Sequence, residues 1–122
     1  MSLVAEFDIN DLPKMVNVIG RRHWRVKHRE AKLWKNLVHG HCRAIGIEDL
    51  GLKKAMLTFT RHSSVEPDAD NLVSGFKHVQ DGLVQAGVIV DDKPSIIGTP
   101  KYLWSFAPVE RGKITIKIEV EP

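Results

Sequence analysis

Hydrophobic and polar positions alternate along several stretches of the chain, which is the two-residue period of a half-buried strand. Residues 2–9 and 53–62 show this alternation and predict two strands with one buried face each. Residues 95–107 predict a further strand, interrupted around Pro100, and Gly112 then opens a return. The last strand is predicted from a third clear alternation, in which the apolar positions are Ile114, Ile116, Ile118 and Val120.

Two other stretches repeat their apolar positions at spacings of three and four, the period of a helix. The first predicted helix runs over 27–45 and ends at Gly46, and the second runs over 71–86 and ends at Gly87. Residues 88–90 are apolar and predict a short strand after the second helix. The order β, α, β, α, β, β predicts an α+β fold with a mixed β-sheet and two main helices packed on one face.

Length and composition predict a single domain, residues 1–122. The chain has 122 residues, of which 43% are hydrophobic and 27% charged, ordinary values for a globular protein. No apolar run reaches the length of a membrane span, and the N-terminus lacks a signal-peptide pattern, so we predict a cytoplasmic protein. Cys42 is the only cysteine, which excludes an internal disulfide and a cysteine-rich zinc site.

The net charge is only +3, but its distribution is uneven. Residues 21–35 hold seven Lys or Arg against one Glu, and such a cluster can neutralise phosphates. The alternative is an ordinary solvated face. Trp24, inside this segment, is predicted either to stack on a base or to pack against the domain. The candidate DNA-binding residues are Arg21, Arg22, Arg25 and Lys27.

The acidic residues of most interest lie between Glu66 and Lys93. Asp68 and Asp70 stand two apart just after Pro67, and in an extended segment this spacing puts both carboxylates on one side, where they can converge on a cation. Asp70 or Asn71 is then predicted to cap the following helix.

The outward side of the second predicted helix continues the same polar arrangement. At roughly 100° per residue, Ser74, Lys77 and Asp81 fall within about 40° of the direction of Asp70. A second acidic pair, Asp91 and Asp92, follows the apolar residues after this helix. A solvated helix face is the ordinary explanation for any one of these residues, but the combined spacing of the acids favours a site.

The run D-A-D-N-L, followed by K-x-x-x-D-G-L-x-x-A-G-x-x-x-D-D, resembles the RusA family of crossover junction endodeoxyribonucleases. The resemblance covers about a quarter of the chain. It implies a RusA-like fold and Mg²⁺-dependent hydrolysis of four-way (Holliday) DNA junctions by a homodimer. It further implies that Asp68, Asp70 and Asp92 bind the metal and that Lys77 is the catalytic lysine.

One departure from the family pattern is the position of the lysine, which lies seven residues after Asp70 rather than about one helical turn after the D-N pair. Three extra residues are close to one turn, so we predict that Lys77 keeps its face and moves roughly 4 to 5 Å along the axis. An alternative motif, P-D with D-D-K, resembles PD-(D/E)xK nucleases and would use Lys93 instead.

His62 ends the second predicted strand and leads into the acidic loop, so it is expected either near the site or as a plain strand-end residue. His39, His41 and Cys42 do not form a predicted metal site, because helical spacing separates the two histidines. The predicted function is a Mg²⁺-dependent junction endonuclease. The alternatives are a branched-DNA-binding protein without catalysis and an interaction module with a structural cation.

Overall fold

A computed structural model of the chain describes residues 1–14 and 24–122, and only the backbone of Trp24. The helices and strands in this part are, in chain order, β1 (Ser2–Ile9), α1 (Trp24–Ala44), β2 (Met56–Ser63), α2 (Ala69–Ser74), α3 (Lys77–Gln85), α4 (Pro94–Ile97), β3 (Lys101–Phe106), a 3-10 turn (Val109–Arg111) and β4 (Lys113–Val120). The predicted α+β fold is confirmed.

The four strands form one mixed sheet in the order β1-β4-β2-β3. The C-terminal strand β4 is antiparallel to both of its neighbours, β1 and β2, whereas β3 runs parallel to β2. A parallel pair needs a long crossover connection. Here that crossover is the segment 64–100, which carries α2, α3, α4 and the acidic residues of interest.

The core lies between one face of the sheet and the two main helices, α1 and α3. Alternate residues of β2 and β4 are buried on this face, including Leu57, Phe59 and Ile116. The helices approach closely at Gly82, where an added Cβ would lie 2.7 Å from Val38 Cβ in α1. The close contact between α1 and α3 therefore depends on a glycine at position 82, which has no side chain.

The sequence predicted one continuous second helix, but in the structure this helix is divided into α2 and α3 at Gly75 and Phe76. The amide of Phe76 bonds to Val73 O, three residues back, at 3.1 Å, so the chain tightens there. This turn directs Phe76 into the core, where its ring stacks on Phe59 at 5.1 Å between centroids. A large aromatic side chain is thus buried at the point where the helix is divided.

Two other boundaries differ from the prediction. Residues 88–90 form no strand, and only an isolated bridge joins Leu52 to Ile89. Val88 and Ile89 fill the core from a loop, which periodicity cannot distinguish from a buried strand, whereas Val90 is exposed. The predicted strand 95–107 begins instead as α4 because Pro94 suits the first helical turn, and β3 starts only at Lys101.

Helix α1 begins at Trp24, three residues before the predicted start of the first helix at residue 27. Residues 15–23 lie outside the described part, so Arg21 and Arg22 have no position here. None of the helices that the structure describes is long and apolar enough to cross a membrane.

Candidate functional site

Asp68 and Asp70 lie at the start of α2, directly after the loop that leaves β2. Asp68, rather than the predicted Asp70 or Asn71, occupies the N-cap position in an extended conformation, and its side chain makes no capping hydrogen bond. Asp70 lies in the first helical turn, and both residues are exposed. Two exposed carboxylates thus lie at one helix start, and their convergence on one cation stays a prediction.

Lys77, the first residue of α3, brings two acids together. Its Nζ lies 2.9 Å from Asp81 Oδ1, one helical turn along, and 3.3 Å from Asp92 Oδ2 beyond the end of the helix. The hydrogen bond to Asp81 raises the pKa of Lys77, burial opposes this, and the bond to Asp92 adds to the increase. Lys77 is therefore a cation at neutral pH, and its side chain remains 60% exposed.

The two aspartates after α3 have different partners. Asp91 Oδ1 accepts a hydrogen bond from the backbone N–H of Asp92 at 2.7 Å, which is the main reason why the pKa of Asp91 is lowered. Its Oδ2 lies 3.6 Å from Lys93 Nζ. Asp91 is thus held in its own turn, whereas Asp92 contacts Lys77. Lys77 rather than Lys93 contacts Asp92, the acid matched by the resemblance.

Tyr102 and Gln80 extend this site and were not anticipated from the sequence. The amide of Gln80, a buried residue of α3, donates a hydrogen bond to the hydroxyl oxygen of Tyr102. Burial raises the pKa of Tyr102, Asp92 raises it further, and Lys77 lowers it, so the hydroxyl is within electrostatic reach of that ion pair. The only sequence signal was a glutamine on the apolar side of a helix.

Rings from the core fix the position of Tyr102. Its ring centroid lies 5.7 Å from that of Phe59 and 6.1 Å from that of Phe76. The break in the helix at Gly75 and Phe76 therefore contributes to the site, because it supplies one of these rings. With Gln80 donating to the tyrosine oxygen, the hydroxyl hydrogen is available to another acceptor.

The three predicted metal ligands are not assembled into one cluster. Among residues 1–14 and 24–122, no three His, Cys, Asp or Glu side chains are grouped so that they could hold a metal ion. Lys77 forms ion pairs with Asp81 and Asp92, and none with Asp68 or Asp70. Carboxylate oxygens are the donors that Mg²⁺ prefers, so the chemistry of the three predicted ligands fits this cation. Binding of Mg²⁺ by Asp68, Asp70 and Asp92 stays a prediction.

The basic segment is described only in part. Arg25 and Lys27 are exposed near the start of α1. Lys14, the last described residue before position 15, forms an ion pair with Glu30 of α1 at 3.1 Å. The predicted phosphate contacts of Arg25 and Lys27 stay predictions, and those of Arg21 and Arg22 fall outside the described residues.

The histidines and the cysteine of α1 have other roles. His39 bonds to Glu48, and Gln85 Nε2 lies 3.1 Å from its other ring nitrogen. Cys42 is buried, and desolvation raises the pKa of its thiol to about 11. His41 stacks on Phe7 with centroids 6.2 Å apart. Each of these side chains thus has a packing or hydrogen-bonding role of its own.

His62 points away from the Lys77 site. Its Nε2 lies 2.8 Å from Thr115 Oγ1 of β4. Because side chains alternate along a strand, His62 projects from the sheet face opposite to Phe59 and the core. His62 is therefore a strand-end residue of the other face, as one of the two sequence interpretations expected.

In comparisons with known proteins, no protein-family model and no curated protein matches this chain.

Proposed function

We propose that this protein is a RusA-like endodeoxyribonuclease that hydrolyses a phosphodiester bond in four-way DNA junctions and depends on Mg²⁺. One observation carries the proposal: Lys77 contacts Asp92 at 3.3 Å although the two residues are 15 positions apart in the sequence. The fold thus joins the lysine and the second acidic pair of the motif. Asp68 and Asp70, exposed at the start of α2, supply the remaining acids.

Lys77 is the residue whose chemistry fits a phosphoryl group best. Its charge is secured by Asp81, and its side chain is accessible to a substrate. A phosphate oxygen can replace Asp92 as its second partner, so that Lys77 stabilises the negative charge that develops during hydrolysis. The Tyr102 hydroxyl, oriented by Gln80, can donate a hydrogen bond to the same phosphate.

Mg²⁺ bound by Asp68, Asp70 and Asp92 would polarise the phosphoryl oxygens and lower the pKa of a bound water. In the structure, Asp92 is paired with Lys77, so a cation would compete with that lysine for the carboxylate. Entry of a substrate phosphate resolves this competition, because the phosphate offers Lys77 a new partner.

The proposed partner is branched DNA, bound through phosphates by Arg21, Arg22, Arg25 and Lys27. A homodimer would present two sites to the two opposed strands of a junction. We propose a cytoplasmic setting because the proposed substrate is DNA. These three elements rest on the family resemblance and on the basic segment of the sequence.

The second candidate function is a branched-DNA-binding protein without catalysis. It is favoured by the ion pair between Lys77 and Asp92, which engages one of the three predicted metal ligands. Such a protein would keep the basic surface and bind a junction without cutting it.

The deciding experiment is cleavage of a synthetic four-way junction in Mg²⁺, with linear duplex and EDTA as controls. We expect cleavage of the junction alone, and its loss in Asp70→Asn with binding retained. Glu66→Gln is the matched control, because it removes one exposed negative charge from the same loop. Mg²⁺-dependent turnover by Asp70→Asn at the rate of Glu66→Gln would refute the assignment. Tight binding without cleavage by the unmodified protein would support the second candidate.

A further inference from the structure

Arg61 of β2 is a cation on the helix side of the sheet, where most side chains are apolar. Alternation along β2 puts it on the same face as Phe59, which is fully buried. Its cross-strand neighbours are Trp104 of β3 and Ile114 of β4. Partial burial removes water from the guanidinium and lowers the pKa of Arg61. The group nevertheless keeps its charge, because a guanidinium stays protonated in proteins.

The fold uses only one nitrogen of this guanidinium. Nη1 of Arg61 donates a hydrogen bond to the backbone oxygen of Pro13 at 2.8 Å. Nε is buried and has no hydrogen-bond partner among the described residues, and within the same part of the chain no carboxylate pairs with Arg61. A buried donor without an acceptor destabilises a folded protein. A ligand that supplies an acceptor to Arg61 is therefore favoured.

Arg61 lies beside the basic segment. Its partner Pro13 is followed by Lys14, which forms an ion pair with Glu30 of α1 at 3.1 Å. In the other direction, β2 ends two residues after Arg61 and leads into the loop that carries Asp68. Arg61 is thus connected by contact to the start of the basic segment and by the chain to the acidic loop.

The unused edge of the guanidinium suits a phosphate. Nε and Nη2 form a planar fork that can donate two parallel hydrogen bonds to two oxygens of one phosphate. Arg61 retains part of its exposure, so a ligand can approach from the surface. Residues 21–35 hold seven Lys or Arg against one Glu, and this excess of positive charge attracts a polyanion rather than a single carboxylate.

We propose that Arg61 binds a backbone phosphate of the DNA through Nε and Nη2, while Nη1 keeps its bond to Pro13. This inference rests on the proposed function and adds a contact from the sheet to those of the basic segment. The bond to Pro13 orients the guanidinium before DNA binds, so little side-chain entropy is lost on binding.

The most direct test observes the Nε–H group of Arg61 by NMR. Arg61→Lys identifies the signal, because this variant lacks it. Saturation with a synthetic four-way junction in EDTA should shift the signal, since a phosphate oxygen then accepts from Nε. Nε of Arg43 already donates to Glu48 at 3.1 Å, so its signal is the internal control and should stay in place. An Arg61 signal that also stays in place at saturation would overturn the proposal.

A second test separates the charge of Arg61 from its bond to Pro13. In EDTA, Arg61→Met should weaken junction binding about tenfold and flatten the slope of log affinity against log salt by about 0.9, as loss of one phosphate contact does. Arg61→Lys keeps the charge and should keep the slope, while binding is weaker because lysine lacks the fork. Arg43→Met is the matched control and should leave the slope unchanged. Weaker binding by Arg61→Met with the control's slope would mean that Arg61 acts only through Pro13.

These measurements are independent of cleavage. A shifted Arg61 signal without cleavage in Mg²⁺ would leave this inference standing and refute the nuclease. Cleavage with an unshifted signal would do the opposite, and a junction that does not bind would overturn both. Circular dichroism of each variant establishes that it is folded. If Arg61→Met does not fold, the Nε–H signal of the unmodified protein and the slope of Arg61→Lys decide.

Discussion

The two faces of the sheet carry two polar clusters of similar chemistry and very different origin. The cluster on the helix side joins Lys77 to Asp81 and Asp92, all within one crossover connection. The cluster on the open face joins Asp8 to Lys113 across 105 positions, and to Thr115 across 107. A lysine forms an ion pair with an aspartate in both clusters, but only the first cluster forms from segments that are close together in the sequence. The first can therefore be recognised as a motif, whereas the second exists only because β4 inserts between β1 and β2.

The difference between the two clusters is tested most strongly by substitutions that affect only one of them. Lys77→Ala should lower the single-turnover rate of junction cleavage by about 100-fold or more, as loss of one electrostatic stabiliser commonly does. Lys93→Ala, which removes only the partner of Asp91, should have a much smaller effect. Thr115→Val, on the other face, should leave the rate unchanged. The reverse order for the two lysines would favour a PD-(D/E)xK-like site.

A second expectation concerns the basic segment before and within α1. Changing Arg21, Arg22 and Arg25 to Ala should weaken junction binding and flatten the slope of log affinity against log salt by about 0.9 per lost phosphate contact. The change Arg43→Ala is a control, since this arginine pairs with Glu48 at 3.1 Å near the far end of α1. A slope equal to that of the control would identify the segment as ordinary surface charge.

The sequence predicted most of the fold for a physical reason. Alternation in β1 and β4 and helical spacing in α1 arise from local geometry, and the observed elements follow them within a few residues. The break at Gly75 and Phe76 could not be predicted, because the apolar residues on both sides of it follow one helical spacing. The prediction of a strand at residues 88–90 was wrong for a related reason: Val88 and Ile89 are buried from a loop, with only an isolated bridge at Ile89.

The candidate site, like the fold, could be predicted only in part from the sequence. Asp68, Asp70, Lys77 and Asp92 were predicted from one stretch of sequence, and the structure brings Lys77 and Asp92 together. Tyr102 entered the site only through the parallel pairing of β3 with β2, which matches it to Phe59. His62 shows what the sequence order alone could not predict. It precedes the acidic loop in the sequence, but strand alternation places its side chain on the other face of the sheet.

A smaller effect is expected at Tyr102. Tyr102→Phe removes a hydroxyl that is available to a phosphate, so the cleavage rate should fall about fivefold, in keeping with about 1 kcal/mol for one hydrogen bond. The change also leaves the buried amide of Gln80 unpaired and lowers stability. Tyr102→Phe with Gln80→Met removes both polar partners and restores stability without restoring the hydroxyl. Recovery of the full rate in the double variant would assign Tyr102 to structure alone.

The smallest effect concerns the open-face cluster and its dependence on pH. The pKa of Asp8 is lowered in the folded protein, mainly by Lys113 and then by Thr115, from an unperturbed value of 3.8. A depressed pKa contributes stability that is fully present above the unfolded value and is lost as the pH falls through the folded one. Asp8 is 41% exposed, so the contribution should be below about 1 kcal/mol. Urea unfolding should show Asp8→Asn less stable than the unmodified protein at pH 6, with the difference shrinking below pH 4. An equal difference at pH 6 and pH 2 would mean that the ionised carboxylate contributes nothing, and the orientation of His62 would have to rest on packing instead.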